Sequence, residues 1–412
     1  MAKTGINIQV SNTTFAGVPK VNENSILFYG DEEDRGVDVA VRSVSDFEAK
    51  TGIKSDSTEV WKKNLHKQVS GYYNPTTTIS NNGKLLWVKT FGVVDNFDPI
   101  PKSDFIATVE DAVMRTVENG FESRPRQILM VIPYPVWEQI SPGFSPAEAL
   151  QTAISNLYAE GVATVGIIGG ALYPVVIDSD TGDIDRVADV SAYGCPQVAF
   201  VGVSDNAEAG AEPIVGRVGG YVINKSVGTS IGDASAEPFD TKLYVLAIDT
   251  GFGDVVEALD CASLAKEVIE ELGSKQWLFT RTRPPRNGLW WNDGATCADP
   301  ATALSTLEAG RTIASITDDL REFFTYYINT RVPVADNGDI DPTYKQVVID
   351  AAMSKVIQPY INSGDISNAR IELKALNDNM VESRTWEVKL SILPAPTLRW
   401  IDAYVFYVKT LE

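Results

Sequence analysis

Histidine is nearly absent: His66 is the only one in 412 residues. Zinc sites built on two or three histidines are therefore excluded within one chain. A Ser-His-Asp or Cys-His mechanism would have to run through His66. That residue sits in KKNLHKQVS beside Lys62, Lys63 and Lys67, a run that reads as the solvated, cationic face of a helix. Cysteine is scarce. Cys195, Cys261 and Cys297 form no CxxC pair, and their odd number points to buried reduced thiols rather than a disulfide framework. Basic charge is outnumbered: 35 Lys and Arg against 55 Asp and Glu leave a net charge of −20. This argues against a primary nucleic-acid binder and against attraction to anionic lipid. It fits solubility or a basic partner surface. The best apolar run, residues 162–177, is too short to span a membrane and is broken by Gly166, Gly169, Gly170 and Pro174. The opening MAKTGINIQVSN has no apolar core of the signal-peptide kind, so the expectation is a chain made and used in a cytoplasm.

Motifs for phosphate, metal or catalysis are equally thin. No G-x-x-x-x-G-K-[ST] occurs, and VGRVGGYVINKSVG has its glycines in the wrong order for a dinucleotide turn. Gly216, Gly219 and Gly220 read instead as places of close backbone approach or tight turning. Gly166, Gly169 and Gly170 follow a strand without a helix start that would present amides to an anion. The acidic run DSDTGDID (178–185) lacks the bidentate Glu of a calcium loop, and ADNGDID (335–341) reads as a hairpin turn. Arg281, Arg283 and Arg286 with Trp290 and Trp291 fit structural stacking and salt bridges at a junction better than a base-stacking patch. No catalytic set, no cofactor site and no metal site is assigned.

What the chain does have is a run of continuous apolar segments alternating with helical ones. Apolar strands are expected at 26–29, 37–41, 85–90, 128–133, 162–170, 195–204 and 243–250, with helical patterns at 46–72, 104–120 and 145–161. Ser103 is a candidate N-cap; Ser145, Pro146 and Glu148 form a strong helix start. Such alternation implies an α/β core with a covered, largely parallel sheet. After a loop dense in Arg, Pro, Gly and Trp at 280–300 come helices at 302–329 and 343–361, then strands in ISNARIELKAL and TWEVKLSILP. In TWEVKLSIL, Trp386, Val388, Leu390 and Ile392 alternate with polar residues, as on a one-sided strand. Both ends of the sequence also read as strands. Ile6, Ile8 and Val10 alternate near the start, and Trp400, Tyr404, Phe406 and Val408 crowd the last segment. A terminal strand that rich in aromatics must be covered, by its own sheet or by another chain.

The aromatic-Asn loop NGLWWNDGATCADP, the helix TLEAGRTIASITDDLREFFTYYINTRVPV with Arg311, the connector DNGDIDPTYKQ, the SGDIS turn and the two closing strands stand in an order that resembles contractile tail sheath proteins. These belong to myophage tails, R-type bacteriocins and related injection systems. The stretch VGRVGGYVINKSVGTSIGD is similar to a glycine-punctuated segment of some members. The resemblance implies an α/β fold, α+β overall, with an N-terminal arm at 1–25 and an outer α/β domain at 26–280, subdivided near residue 100. A C-terminal α+β sheath domain at 281–399 and a C-terminal arm at 400–412 complete it. It implies a non-enzymatic subunit that stacks as hexameric rings around an inner tube and contracts to drive that tube through a cell envelope. It also implies the partners: further copies of itself, the inner tube protein, and baseplate and tail-terminator proteins, with no nucleic acid and no membrane insertion. The location implied is a virion tail or injection particle assembled in a bacterial cytoplasm. The arm residues are Ile6, Ile8, Val10, Trp400, Tyr404, Phe406 and Val408, and the tube-facing helix would present Asp318, Asp319 and Glu322. Two alternatives stay open: another structural protein of such a machine, and a nucleotide-dependent α/β enzyme.

Overall fold

The computed structural model describes residues 24–395, apart from short segments at 96–97, 119–124, 134–135, 138–139, 141–142, 161, 171–174, 178–183, 208–211, 234–237, 240, 250–257, 284–285 and 303. The terminal segments that carry Ile6, Ile8, Val10, Trp400, Tyr404, Phe406 and Val408 lie outside the described residues, as does most of the acidic run at 178–185.

Seven strands make the main sheet: β1 (Asn24–Asp31), β2 (Asp38–Val41), β3 (Leu86–Gly92), β4 (Pro125–Val131), β5 (Val165–Gly169), β6 (Val198–Val201) and β7 (Trp277–Leu278). Their order is β7-β6-β5-β4-β1-β3-β2. Every neighbouring pair is parallel except β2 with β3 at one edge. The all-apolar strands are the ones buried on both faces: β5 and β6 are buried at every position. A central parallel strand has helices over both sides, so alternation would place polar groups in the core. A smaller mixed sheet lies beside it, built around Tyr244–Asp249, which pairs with Val175–Ile177, Val203–Ser204 and Ala258–Asp260.

The helical patch at 46–72 is two helices, α1 (Val44–Thr51) and α2 (Val60–Tyr73). Ser43 accepts from the Asp46 amide to start α1, and Gly52 ends it at φ 72°, a left-handed conformation that glycine adopts without steric cost. Helix α3 (Lys102–Glu118) starts one residue before Ser103, so Ser103 lies inside the first turn and is not the cap. The amides of Asp104 and Phe105 turn instead to the Pro101 carbonyl. Helix α4 (Pro146–Ala159) does start at Pro146 with Ser145 in the cap position, yet the Ser145 hydroxyl makes no cap hydrogen bond.

His66 is not on a solvated face. It is buried on α2, with Nε2 2.8 Å from Glu48 Oε1 and its ring against Phe47, because α1 folds over that side of the helix. The glycine-rich stretch is a helix, α5 (Val215–Val222), packed on α2. A Cβ on Gly216 would stand 2.1 Å from the Gln68 carbonyl oxygen, and one on Gly220 2.2 Å from that of Tyr72. The reading of these glycines as a close backbone approach is borne out.

The crossing of α2 and α5 also encloses a carboxyl. Glu212 Oε1 accepts from the Tyr29 hydroxyl at 2.6 Å and from Asn64 Nδ2 at 2.8 Å, while Oε2 has no hydrogen-bond partner among the described residues. Burial pushes the Glu212 carboxyl above its ordinary range. The folded chain therefore keeps that proton at a pH where the unfolded chain has lost it, and stability falls as pH rises from the ordinary glutamate value through the raised one. Glu212→Gln is expected to be increasingly more stable than the parent as pH rises from about 4 to 8. Thermal melts across that range check this; parallel pH profiles for the two chains would rule it out.

Helix α6 (Lys266–Ser274) leads into β7, and residues 280–300, expected as a loop, open with a hairpin of β8 (Thr280–Arg283) and β9 (Arg286–Trp291). Arg283 Nη2 donates to the carbonyls of Gly232, Trp291 and Asn292 at 3.0–3.1 Å, and Arg286 lies over Trp290. Trp291 is buried edge-on to Phe239. The first hydrophobic core thus runs past residue 280, through Leu289, Trp291 and Cys297 to Leu307. A second core starts at Ile316. The two cores divide within one helix, α7 (Leu307–Thr325), downstream of the composition change that sequence alone places near 280.

The second core is completed by α8 (Pro342–Ala352), a π-helical turn at Met353–Ile357, α9 (Gln358–Ser363) and a hairpin of β10 (Ile366–Ala375) and β11 (Trp386–Pro394). The π turn falls just before Pro359, which has no N–H to continue the regular ladder. Asp341 caps α8, and Gly364 closes α9 at φ 80°. The Asn337-Gly338 turn expected from sequence is present, closed by a Val334–Ile340 bridge.

Candidate assembly surface

Helix α7 is where the two cores meet. Thr306 caps it, its hydroxyl accepting from the Ala309 amide, and Glu308 in the first turn faces the positive end of the helix dipole. Its first half lies on the main sheet, with Gly310 beside Val165 of β5. Arg311 is buried and donates to the carbonyls of Lys225 and Ser226 at 3.0 and 3.3 Å. Its second half turns Ile316, Leu320 and Phe324 into the second core. The spacing of these residues by four puts them on one face.

The expected tube-facing acids are distributed unevenly on this helix. Asp318 is ion-paired to Arg126 at the start of β4 and lies 3.4 Å from Arg321, with only 11% of its side chain exposed. Arg321 also donates to the Tyr158 carbonyl at the end of α4. Asp319 accepts from the Tyr360 hydroxyl at 2.5 Å, joining α7 to α9. Burial pushes the Asp319 carboxyl up, against the hydrogen bond from Tyr360, which draws it down. Burial also raises the Tyr158 hydroxyl to about 12. Asp318 and Asp319 therefore hold the helix to the rest of the chain, and Glu322 is the exposed acid of the three. Arg126, Tyr158 and Tyr360 gave no sign in the sequence. The Arg126–Asp318 pair joins residues 192 apart in the chain, and no local pattern encodes such a contact.

The β10–β11 hairpin forms the outer wall of the second core. Its two strands pair from Ile366↔Pro394 to Ala375↔Trp386. Ile371, Leu373 and Ala375 on β10 are fully buried, whereas their cross-strand partners Leu390, Val388 and Trp386 are only half-buried. Trp386 leans on Phe324, Tyr327 and Tyr344. The other face is a charged ladder in which Glu372 stands opposite Lys389, and Lys374 pairs with Glu387 at 3.1 Å. Among the described residues no third strand joins this hairpin on either side. The apolar row of β11 thus lies beside an unpaired backbone edge. An open edge next to half-covered apolar side chains is a template for an added strand.

The sequence matches no protein-family model and no curated protein. Solved structures do match. A chain of the PVC sheath complex of an extracellular contractile injection system, in the contracted state, superposes with a TM-score of 0.54 at 10% identity, over 98% of this chain and 95% of that one. A chain of the anti-feeding prophage baseplate, 6-fold symmetrised, gives 0.55 at 11% identity, covering 99% of both. A chain of the same baseplate in the contracted state gives 0.52 at 12% identity, covering 98% of both. This is the fold of contractile sheath proteins. The likeness spans both cores and is not confined to the C-terminal half, where the sequence resemblance is carried. The sheath fold reaches this chain with about nine positions in ten changed, so what is shared is the path of the backbone.

Proposed function

We propose that this chain is the structural subunit of a contractile sheath. It polymerises as stacked hexameric rings around an inner tube, and its contraction drives the tube through a target envelope. The single observation that carries the reading is the outer edge of β11, which is paired on one side with β10 and has no neighbour on the other among the described residues, beside a half-covered apolar row, in a fold shared with contractile sheath structures. In this reading the segments holding Ile6, Ile8 and Val10 and Trp400, Tyr404, Phe406 and Val408 leave their own subunit and add strands to the hairpins of neighbours. Each backbone hydrogen bond so formed contributes about 1 kcal/mol net. Each aromatic side chain sealed against a β11 row adds roughly 1.5–3 kcal/mol. Such links hold subunits together while larger faces slide and re-pair, which is what a contractile array requires.

The division into arm, outer domain, sheath domain and second arm follows from the same proposal. Helix α7 is set toward the tube, with Glu322 as its exposed acid. A net charge of −20 per subunit makes neighbouring copies repel, so basic surface on the tube or charge pairs between subunits must offset it. Baseplate and terminator proteins cap the two ends, and the particle is assembled in the bacterial cytoplasm. Negative-stain electron microscopy of the purified chain tests the proposal directly. Hollow, cogwheel-sectioned tubes are expected; a chain that stays monomeric over all concentrations and salts would refute it.

A further inference from the structure

The geometry points to a latent disulfide site at Cys195 and Cys297. Both are free, buried cysteines. They face each other across an isolated antiparallel bridge, the Cys195 amide donating to the Cys297 carbonyl and the Cys297 amide donating to the Val198 carbonyl at 2.7 Å. Only one of the two bonds of a regular pair runs directly between them, yet residues directly opposite in an antiparallel bridge have Cα atoms about 4.5–5.5 Å apart, inside the window of about 4.4–6.8 Å that a disulfide spans. Their side chains leave the ladder on the same side. Each ring of this contact is set by the fold. Cys195 follows the short helical turn Val190–Tyr193 and precedes β6, while Cys297 lies on the segment that leads to α7. The third cysteine, Cys261, is buried at a different place, with its amide on the Leu243 carbonyl.

In the closed chain the two thiols are protected. Cys195 Sγ donates to the Tyr193 carbonyl at 3.3 Å, and burial holds its thiol at about 12. Burial, then the neighbouring Cys195, pushes the Cys297 thiol well above its ordinary range. Thiolate is scarce, so reaction waits for the 295–297 segment to open from 195. A peroxide then supplies the oxidant. One thiolate attacks a peroxide oxygen, the O–O bond breaks, and a sulfenic acid and water form. The second thiol attacks the sulfenic sulfur, the S–O bond breaks, and a second water leaves. The sum is two thiols and one peroxide giving one disulfide and two waters. The bond would tie the central sheet at β6 to the chain entering α7. It closes a loop of about 100 residues, a length at which a cross-link strongly restricts the unfolded ensemble.

The test needs only the full-length chain. Protein purified under reductant is exposed to hydrogen peroxide without denaturant, its remaining thiols are alkylated, and it is digested without reduction for mass spectrometry. The expected result is a peptide pair joined through Cys195 and Cys297 and released by reductant, with Cys261 recovered alkylated after unfolding. The oxidised chain should melt several degrees higher, and Cys261→Ser should behave the same way. Three outcomes would overturn the inference: sulfinic or sulfonic acid at either residue without linkage, three unchanged thiols, or linkage through Cys261 as often as between the other two.

Discussion

Deleting residues 400–412 is expected to leave a folded, monomeric chain that forms no long sheaths. The segment holds Trp400, Tyr404, Phe406 and Val408, and the hydrophobic cores of the described residues run from Ile26 to Leu307 and from Ile316 to Ala375, upstream of it. In the arm-exchange reading, folding of one subunit rests on these cores, and the segment serves the β11 edge that no strand joins among the described residues. Several backbone hydrogen bonds at about 1 kcal/mol each, with a few aromatic burials at roughly 1.5–3 kcal/mol, put the loss per link on the order of 10 kcal/mol. At about 1.4 kcal/mol per tenfold, that abolishes polymer at any workable concentration. Circular dichroism and thermal melts of the truncated chain should match the parent, while negative-stain fields should be empty of tubes. Normal long tubes from the truncated chain would end the arm-exchange reading, though not the fold.

Much of the fold is legible in the sequence because it rests on local patterns. The continuous apolar segments at 128–133 and 162–170 fall on β4 and β5, and Gly364 and Asn337-Gly338 stop and turn the chain as their conformational preferences dictate. The errors have physical causes as well. His66 reads as solvated because its sequence neighbours are lysines, while its spatial neighbours, Phe47 and Glu48, come from another helix. The Arg-Trp loop at 280–300 reads as a boundary by composition. Cation–aromatic stacking and three carbonyl contacts to Arg283 instead fold it into the first core. Asp318 and Asp319 look like a surface pair until Arg126 and Tyr360 arrive from distant parts of the chain. The candidate site was thus legible in its strands, whose one-sided alternation sets an apolar row, and illegible in the polar contacts that fasten α7.

Replacing Gly220 with alanine is expected to destabilise the chain by about 2 kcal/mol or more, against the usual sign for such a change in a helix. Intrinsic propensity alone favours alanine over glycine by about 0.8–1.0 kcal/mol. Here the new methyl would stand 2.2 Å from the Tyr72 carbonyl oxygen of α2, and the atom it meets is backbone, which cannot rotate aside. Helices α2 and α5 must then separate, which loosens the contact of Gln68 with the Pro213 carbonyl and the Gly216 amide and the bond from Asn81 to the Gly220 carbonyl. Gly273 in α6 is the matched control: a Cβ there meets nothing closer than 3.5 Å, the Asn292 amide. Gly273→Ala should therefore gain about 0.5 kcal/mol from propensity alone. Urea unfolding of the two variants beside the parent separates the effects. If Gly220→Ala and Gly273→Ala shift the midpoint in the same direction, the close crossing of α2 and α5 does not limit stability, and the glycines of VGRVGGYV are there for another reason.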